Sequence, residues 1–213
     1  MLRKANLAVK RLFDILISMV GIIVCFPFWV IIIFVMKITM PGPVFFKQER
    51  VGKGFEIFSV IKFRSMKVDK ESEKNFKIQN DKNRITWFGN ILRRTKLDES
   101  PQLINVLLGD MSLVGPRPTV KQRVDEYPDG QELRLSMKPG MTGISQISGN
   151  ILLSWPRRIE YDCRYVQEFN VFLDLKILLA TVKVVLCGEE KFISNEDELY
   201  HKNPIYDEIK GVK

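Results

Sequence analysis

With 213 residues, 46% of them hydrophobic and 27% charged, the chain has the material for one compact domain plus a membrane element, which excludes wholesale disorder. Its cysteines, Cys25, Cys163 and Cys187, share no metal-type spacing and argue against a disulfide framework or zinc site. Its only histidine, His201, lies in a charged tail, so carboxylates or a metal are better candidates for chemistry than an imidazole base. The net charge is +8, of which residues 1–64 carry +7, a distribution that suits an anionic membrane surface or phosphate substrates better than nucleic acid.

The first element is the uncharged run at 15–36, roughly 33 Å long as one helix and so long enough to span. It is too long for a signal peptide, and no small-residue cleavage site follows. Arg3, Lys4, Lys10 and Arg11 precede it and Lys37, Lys47, Arg50 and Lys53 follow, so both flanks satisfy the positive-inside rule. A helix that enters and returns on one side, kinked near Pro27, satisfies both flanks together. A spanning helix tolerates proline as well.

Pro41-Gly42-Pro43 ends this element. Strands are expected at 44–47 and 55–64, joined around Gly52-Lys53-Gly54. In the second, Phe55, Ile57, Ile61 and Phe63 share one face, and Glu56, Lys62 and Arg64 the other. A solvated strand face explains Lys62 and Arg64 as well as a site does. Residues 67–83 are polar and read as a mobile loop or frayed helix. Thr86 can cap a short helix with Arg93 and Arg94 near its end. Pro101 fits the first turn of the next helix, which stops at Gly109. A short strand at 111–114 leads into Gly115-Pro116-Arg117-Pro118, residues 139–143 read as a turn, and 157–169 and 172–186 as helices. The last of these is amphipathic and suits the core or a membrane interface.

Asp98 and Glu99 fall at or just before a helix start. Capping explains such a pair, and so does chemistry in which one carboxylate attacks phosphorus while its neighbour helps hold a divalent cation. Mg²⁺ suits an oxygen-rich phosphate site of this kind. Arg117, clamped between two prolines, reads as a surface-loop arginine or as a pre-ordered phosphate ligand.

These pieces resemble the bacterial sugar transferases, the small monotopic phosphoglycosyl transferases. The matching stretches are Lys10-Arg11-Leu12-Phe13-Asp14, the run from Gly42 through Gly52, and Lys62-Phe63-Arg64-Ser65-Met66. They continue with Arg84-Ile85-Thr86, the run from Leu92 through Glu99, and the run from Pro101 through Pro118. Lys138-Pro139-Gly140-Met141-Thr142-Gly143 and Asp174-Leu175-Lys176 complete the set. The resemblance implies a mostly helical α/β fold: a re-entrant membrane helix (1–40), a compact cytosolic domain (41–188) with a small β-hairpin and interfacial amphipathic helices, and a charged tail (189–213).

It also implies an enzyme at the cytoplasmic face of the bacterial inner membrane. There Asp98 attacks the β-phosphate of a UDP-sugar, UMP leaves, and polyprenol (undecaprenyl) phosphate takes the phosphosugar. Glu99 supports a Mg²⁺ site with Asp98. Arg117, Arg93, Lys62, Arg64, Asp162 and Asp174 are the expected substrate-binding set. The expected partners are the UDP-sugar, polyprenol phosphate and membrane lipid, with no nucleic acid. A homo-oligomer or association with other glycan-assembly enzymes is left open, as are a silent scaffold and a phosphohydrolase. The chain departs from the family pattern at Ser100 after the dyad, at Phe26 before the helix proline, and at Asn150, where many members have arginine.

Overall fold

The computed structural model describes residues 2–67, 84–124 and 131–192. The loop expected over 67–83, apart from Lys67, and the tail beyond 192, with His201, lie outside the described residues.

One helix, α1 (Leu2–Thr39), opens the chain and carries Pro27 inside it. At 1.5 Å per residue it is about 57 Å long. Its Ala5–Thr39 stretch is long and apolar enough to cross a membrane. One stripe faces the rest of the molecule, with Lys10, Asp14 and Ser18 buried in its first half and Trp29, Ile32 and Met36 in its second. The steps of three and four residues keep these side chains on one side. The opposite side exposes Leu16, Val20, Ile23, Phe26, Ile31 and Phe34, the mark of a membrane-associated helix.

Both ends of α1 are bonded to the same body. At the first, Lys10 Nζ donates to Asp174 Oδ2 at 2.6 Å and to the Val114 carbonyl at 2.8 Å. Asp14 accepts from Ser112 Oγ and the Leu113 N–H, and Arg11 donates to the carbonyls of Val106 and Leu107. At the other end Arg64 donates to the carbonyls of Met40, at 2.5 Å, and Pro41.

Strands β1 (Phe45–Val51) and β2 (Ile57–Phe63) form an antiparallel hairpin, with Phe46 opposite Lys62, Gln48 opposite Val60 and Arg50 opposite Phe58. The first strand outruns the expected 44–47. Its second half reads as polar, but alternation puts Glu49 outside and leaves Gln48 and Arg50 half-buried on the face that carries Lys62.

Helix α2 (Trp87–Arg94) is capped by Thr86, whose Oγ1 accepts from the Gly89 N–H at 2.9 Å. Helix α3 (Gln102–Leu108) follows Pro101 and stops at Gly109, at φ 98°. Strands β3 (Ser112–Val114) and β4 (Gly140–Thr142) pair in parallel. Residues 139–143, expected as a turn, thus supply a strand; three residues rich in glycine show no alternation to read. The short helices α4 (Lys121–Val124) and α5 (Ile144–Ile147) flank β4 in sequence.

Helices α6 (Trp155–Glu168) and α7 (Val171–Cys187), capped by Ser154 and Asn170, match the expected helices within two residues at each end. Helix α7 buries Asp174, Ile177 and Val184 and exposes Phe172, Leu175, Leu179, Val182 and Leu186. The described residues are mostly helical with two small sheets. One core lies under Val60, Val106, Met111, Val114 and Tyr165, and a second, under α1, joins Trp29, Met36, Phe63 and Leu92.

Candidate active site

The dyad sits on a 3₁₀ turn, Leu97–Glu99, immediately before α3. Lys96 enters it in the left-handed conformation at φ 57°. Ser100 pins the turn: its Oγ donates to the Leu97 carbonyl at 2.7 Å and accepts from Trp29 Nε1 at 2.9 Å. The position that departs from the family pattern thus ties the dyad to α1. Asn105 ties the same helix to β2, accepting from the Ile61 N–H and donating to the Ser59 carbonyl. This fixes the strand one residue from Lys62.

Lys62 Nζ donates to Glu99 Oε1 at 2.5 Å. Asp98 is 9% exposed and makes no hydrogen bond among the described residues. The two carboxyls are driven apart accordingly. Burial, then the charge of Glu99, pushes Asp98 up to about 6, against the pull of Lys62, Arg93 and Lys96. Burial works to raise Glu99 as well, but the charges of Lys62 and Arg117 outweigh it and hold Glu99 at about 2. One carboxylate is committed to a cation; the other is left unpaired.

Arg117 reaches this place on a loop held at nearly every residue. Its N–H donates to Asp162 Oδ2 at 3.2 Å, and its carbonyl accepts from Arg134 at 2.6 Å. Arg134 and Asp162 form an ion pair behind the loop, both almost wholly buried, and Ser145 Oγ donates to Asp162 Oδ1 at 2.9 Å. The Gly115 N–H donates to the Thr142 carbonyl, and the Gly140 N–H to the Pro116 carbonyl. The glycines make room for this: a Cβ on Gly115 would lie 2.5 Å from the Lys138 carbonyl oxygen, and one on Gly140 2.1 Å from the Gly115 nitrogen.

A small cavity of about 50 Å³ opens between Lys62, Glu99, Arg117, Arg50 and Gln102. Of the residues singled out in the sequence, Lys62, Glu99 and Arg117 line it; Asp98 is coupled to Lys62 and Glu99 in that lining, and Arg93 acts on Asp98. Arg64, Asp162 and Asp174 do not line it. Arg64 holds the end of α1. Asp174 accepts from Lys10 and from the Tyr165 hydroxyl, and both of those also reach the Val114 carbonyl at the root of the Arg117 loop. Asn150 is buried in the left-handed conformation and lines neither this cavity nor its neighbour.

Two arginines were not assigned to the site from the sequence. Arg50 lines the cavity, and its alternation with Gln48 was the signal that could have found it. Arg134 falls in no recognised motif and gave none.

The sequence profile of the bacterial sugar transferases matches residues 5–188, and the chain belongs to that family. It is 40% identical over 199 residues to the galactosyl transferase CpsE of Streptococcus agalactiae, covering 86% of this chain and 43% of CpsE. To the uncharacterized sugar transferase EpsL of Bacillus subtilis it is 43% identical over 183 residues, covering 84% and 88%. To the UDP-glucose:undecaprenyl-phosphate glucose-1-phosphate transferase of Escherichia coli it is 40% identical over 185 residues, covering 83% and 40%. The chain therefore spans about two fifths of the length of CpsE and of the Escherichia coli enzyme.

Proposed function

We propose that the chain transfers a sugar 1-phosphate from a UDP-sugar to a polyprenol phosphate such as undecaprenyl phosphate, with a covalent phosphosugar on Asp98. The split dyad carries this reading: Glu99 is neutralised by Lys62, and Asp98 is unpaired beside a pocket walled by Arg50 and Arg117. The Escherichia coli relative, named for UDP-glucose and undecaprenyl phosphate, supports the substrate classes.

A carboxylate oxygen of Asp98 bonds the β-phosphorus while the bond from that phosphorus to the oxygen bridging to the α-phosphate breaks. UMP carries that electron pair away. An oxygen of polyprenol phosphate then attacks the same phosphorus, which frees the Asp98 carboxylate and yields polyprenol-diphosphate-sugar. Lys62, Arg117 and Arg93 offset the phosphate charge. Asp162, Asp174 and Arg64 act at one remove, through the loop and the end of α1.

Among the described residues no group of three or more metal-ligating side chains occurs, and the dyad offers two carboxylates. That suits Mg²⁺, which is held by one or two carboxylates together with substrate phosphates and water. Asp98 and Glu99 would hold it, and once bound it supplies positive charge at the diphosphate oxygens. The attachment of both ends of α1 to one body supports a helix that dips into the cytoplasmic leaflet and returns. The exposed Lys37, Lys47 and Lys53 suit anionic headgroups there.

The test is a panel of UDP-sugars with undecaprenyl phosphate and Mg²⁺, read as UMP released. Asp98→Ala is expected to abolish release while the protein still folds. Full turnover by that variant would sink the nucleophile assignment, and phosphate release without lipid would make the protein a hydrolase.

A further inference from the structure

Beside the dyad pocket lies a larger cavity of about 230 Å³, and the two share Arg50, Arg117 and Pro118 as a common wall. Arg123, Arg134, Arg158 and Trp155 complete its character, and no carboxylate lines it among the described residues. We propose that this cavity holds the nucleoside monophosphate half of the donor, the part that departs when the phosphosugar is transferred. The inference rests on the reaction proposed above.

Three observations carry it. The first is charge. Arg50 and Arg117 face the same wall, and burial first, then the charge of Arg117, pushes Arg50 down to about 10 against the opposing pull of Glu99. A phosphate between them relieves that repulsion, and guanidinium forks match its oxygens.

The second is shape. The indole of Trp155 is ringed by Arg123, Arg134 and Arg158, with guanidinium carbons 5.4, 5.6 and 6.0 Å from the ring centre. These cation–π contacts make the indole the aromatic part of a wall otherwise built of arginines. The cavity is smaller than the roughly 300–1,000 Å³ of sites that enclose a whole drug-sized ligand. It fits half of a nucleotide-sugar, with the other half across the shared arginines at the dyad.

The third is location. The lining comes from β1, the loop after β3, α4, the 131–136 turn and α6. None comes from α1, α2 or α7, which carry most of the exposed large apolar side chains. A phosphate on a polyprenol chain would approach from those helices; a water-soluble nucleotide need not.

The experiment uses the full chain in lipid nanodiscs, with UMP as the probe and calorimetry as the readout, so that no turnover is required. Wild type is expected to bind UMP, and uridine much more weakly. Arg123→Gln and Trp155→Ala are expected to weaken UMP binding about ten-fold or more, as loss of a charge-assisted contact or of the aromatic wall would. Trp155→Phe restores most of the affinity, and circular dichroism confirms that each variant folds. In turnover, the KM for the UDP-sugar rises in the two damaging variants while that for polyprenol phosphate stays.

No UMP binding by wild type, or unchanged binding by both damaging variants, overturns the inference. So does a rise in the lipid KM alone, which would give the cavity to the acceptor phosphate. If the variants lose UMP binding but wild type transfers no phosphosugar, the reaction fails and the cavity assignment stands. If wild type turns over and the variants bind UMP normally, the reverse holds.

Discussion

Lys62 on β2 bonds Glu99 at 2.5 Å and leaves the adjacent Asp98 without a hydrogen-bond partner among the described residues. Two neighbouring carboxylates therefore occupy different electrostatic states. Lys62 lowers both carboxyls, so its loss moves both upward. Lys62→Met is expected to lower kcat/KM by about 10²-fold, the scale of removing one preorganised cation or donor. It should also move the acid limb of the pH profile to higher pH. A profile that keeps its limb in place would show that Lys62 does not set the ionisation of the dyad.

The raised Asp98 makes a stability prediction with a definite sign. Below the unfolded carboxyl range, near 3.9, Asp98 is protonated folded or unfolded. As pH rises, the unfolded chain loses that proton first, and the folded chain holds it until about 6. Asp98 therefore weakens the fold progressively across that window and uniformly above it. Asp98→Asn never ionises. In chelator its unfolding free energy should exceed that of wild type by on the order of 2–3 kcal/mol at pH 8, with the gap closing toward pH 4. Denaturant melts at the two pH values decide this, and equal stability at pH 8 would contradict it.

Arg134 and Asp162 supply a second prediction in which stability and activity separate. Arg134→Met leaves Asp162 buried without its cation, which costs about 3–5 kcal/mol. Adding Asp162→Leu removes the stranded charge and should recover most of the loss in melting temperature. It does not restore the bonds to the Arg117 N–H and carbonyl. The double variant is thus expected to be stable with a raised KM for the nucleotide-sugar. Wild-type KM in that protein would show that Arg117 needs no such support.

Much of this site was legible because its signals are local. The Thr86 cap, the stop at Gly109 and the helix start after Pro101 each depend on a few neighbouring residues. Strand parity placed Lys62 on a polar face, and the register confirms that this face meets Arg50 and Gln48. The unread parts are long-range. Arg134 finds Asp162 across 28 residues and Lys10 finds Asp174 across 164, and no period or cap announces such partners. Strand β4 was missed because its glycines, needed for close backbone approach to the Arg117 loop, also look like turn residues. Asp162 and Asp174 stood out as polar residues of a catalytic family, yet Asp162 is held by Arg134, the Arg117 N–H and Ser145, and Asp174 by Lys10 and Tyr165.

Lys10 is the sharpest case, because a cation before an apolar run reads as a headgroup ligand. Here its side chain is 7% exposed and bonded to Asp174 and to the Val114 carbonyl. Lys10→Met strands Asp174, which among the described residues keeps only the Tyr165 hydroxyl, and should destabilise the protein by about 3–5 kcal/mol. The exposed Lys37 and Lys47 behave oppositely: changed to Ser, each should alter stability by no more than about 0.5 kcal/mol. Each should also weaken binding to anionic vesicles by about 1 kcal/mol, a loss that salt screens. Thermal unfolding in detergent paired with vesicle flotation separates the two roles. If Lys10→Met leaves the melting temperature intact and instead releases the protein from anionic vesicles, Lys10 faces the lipid and the clamp between α1 and α7 does not hold.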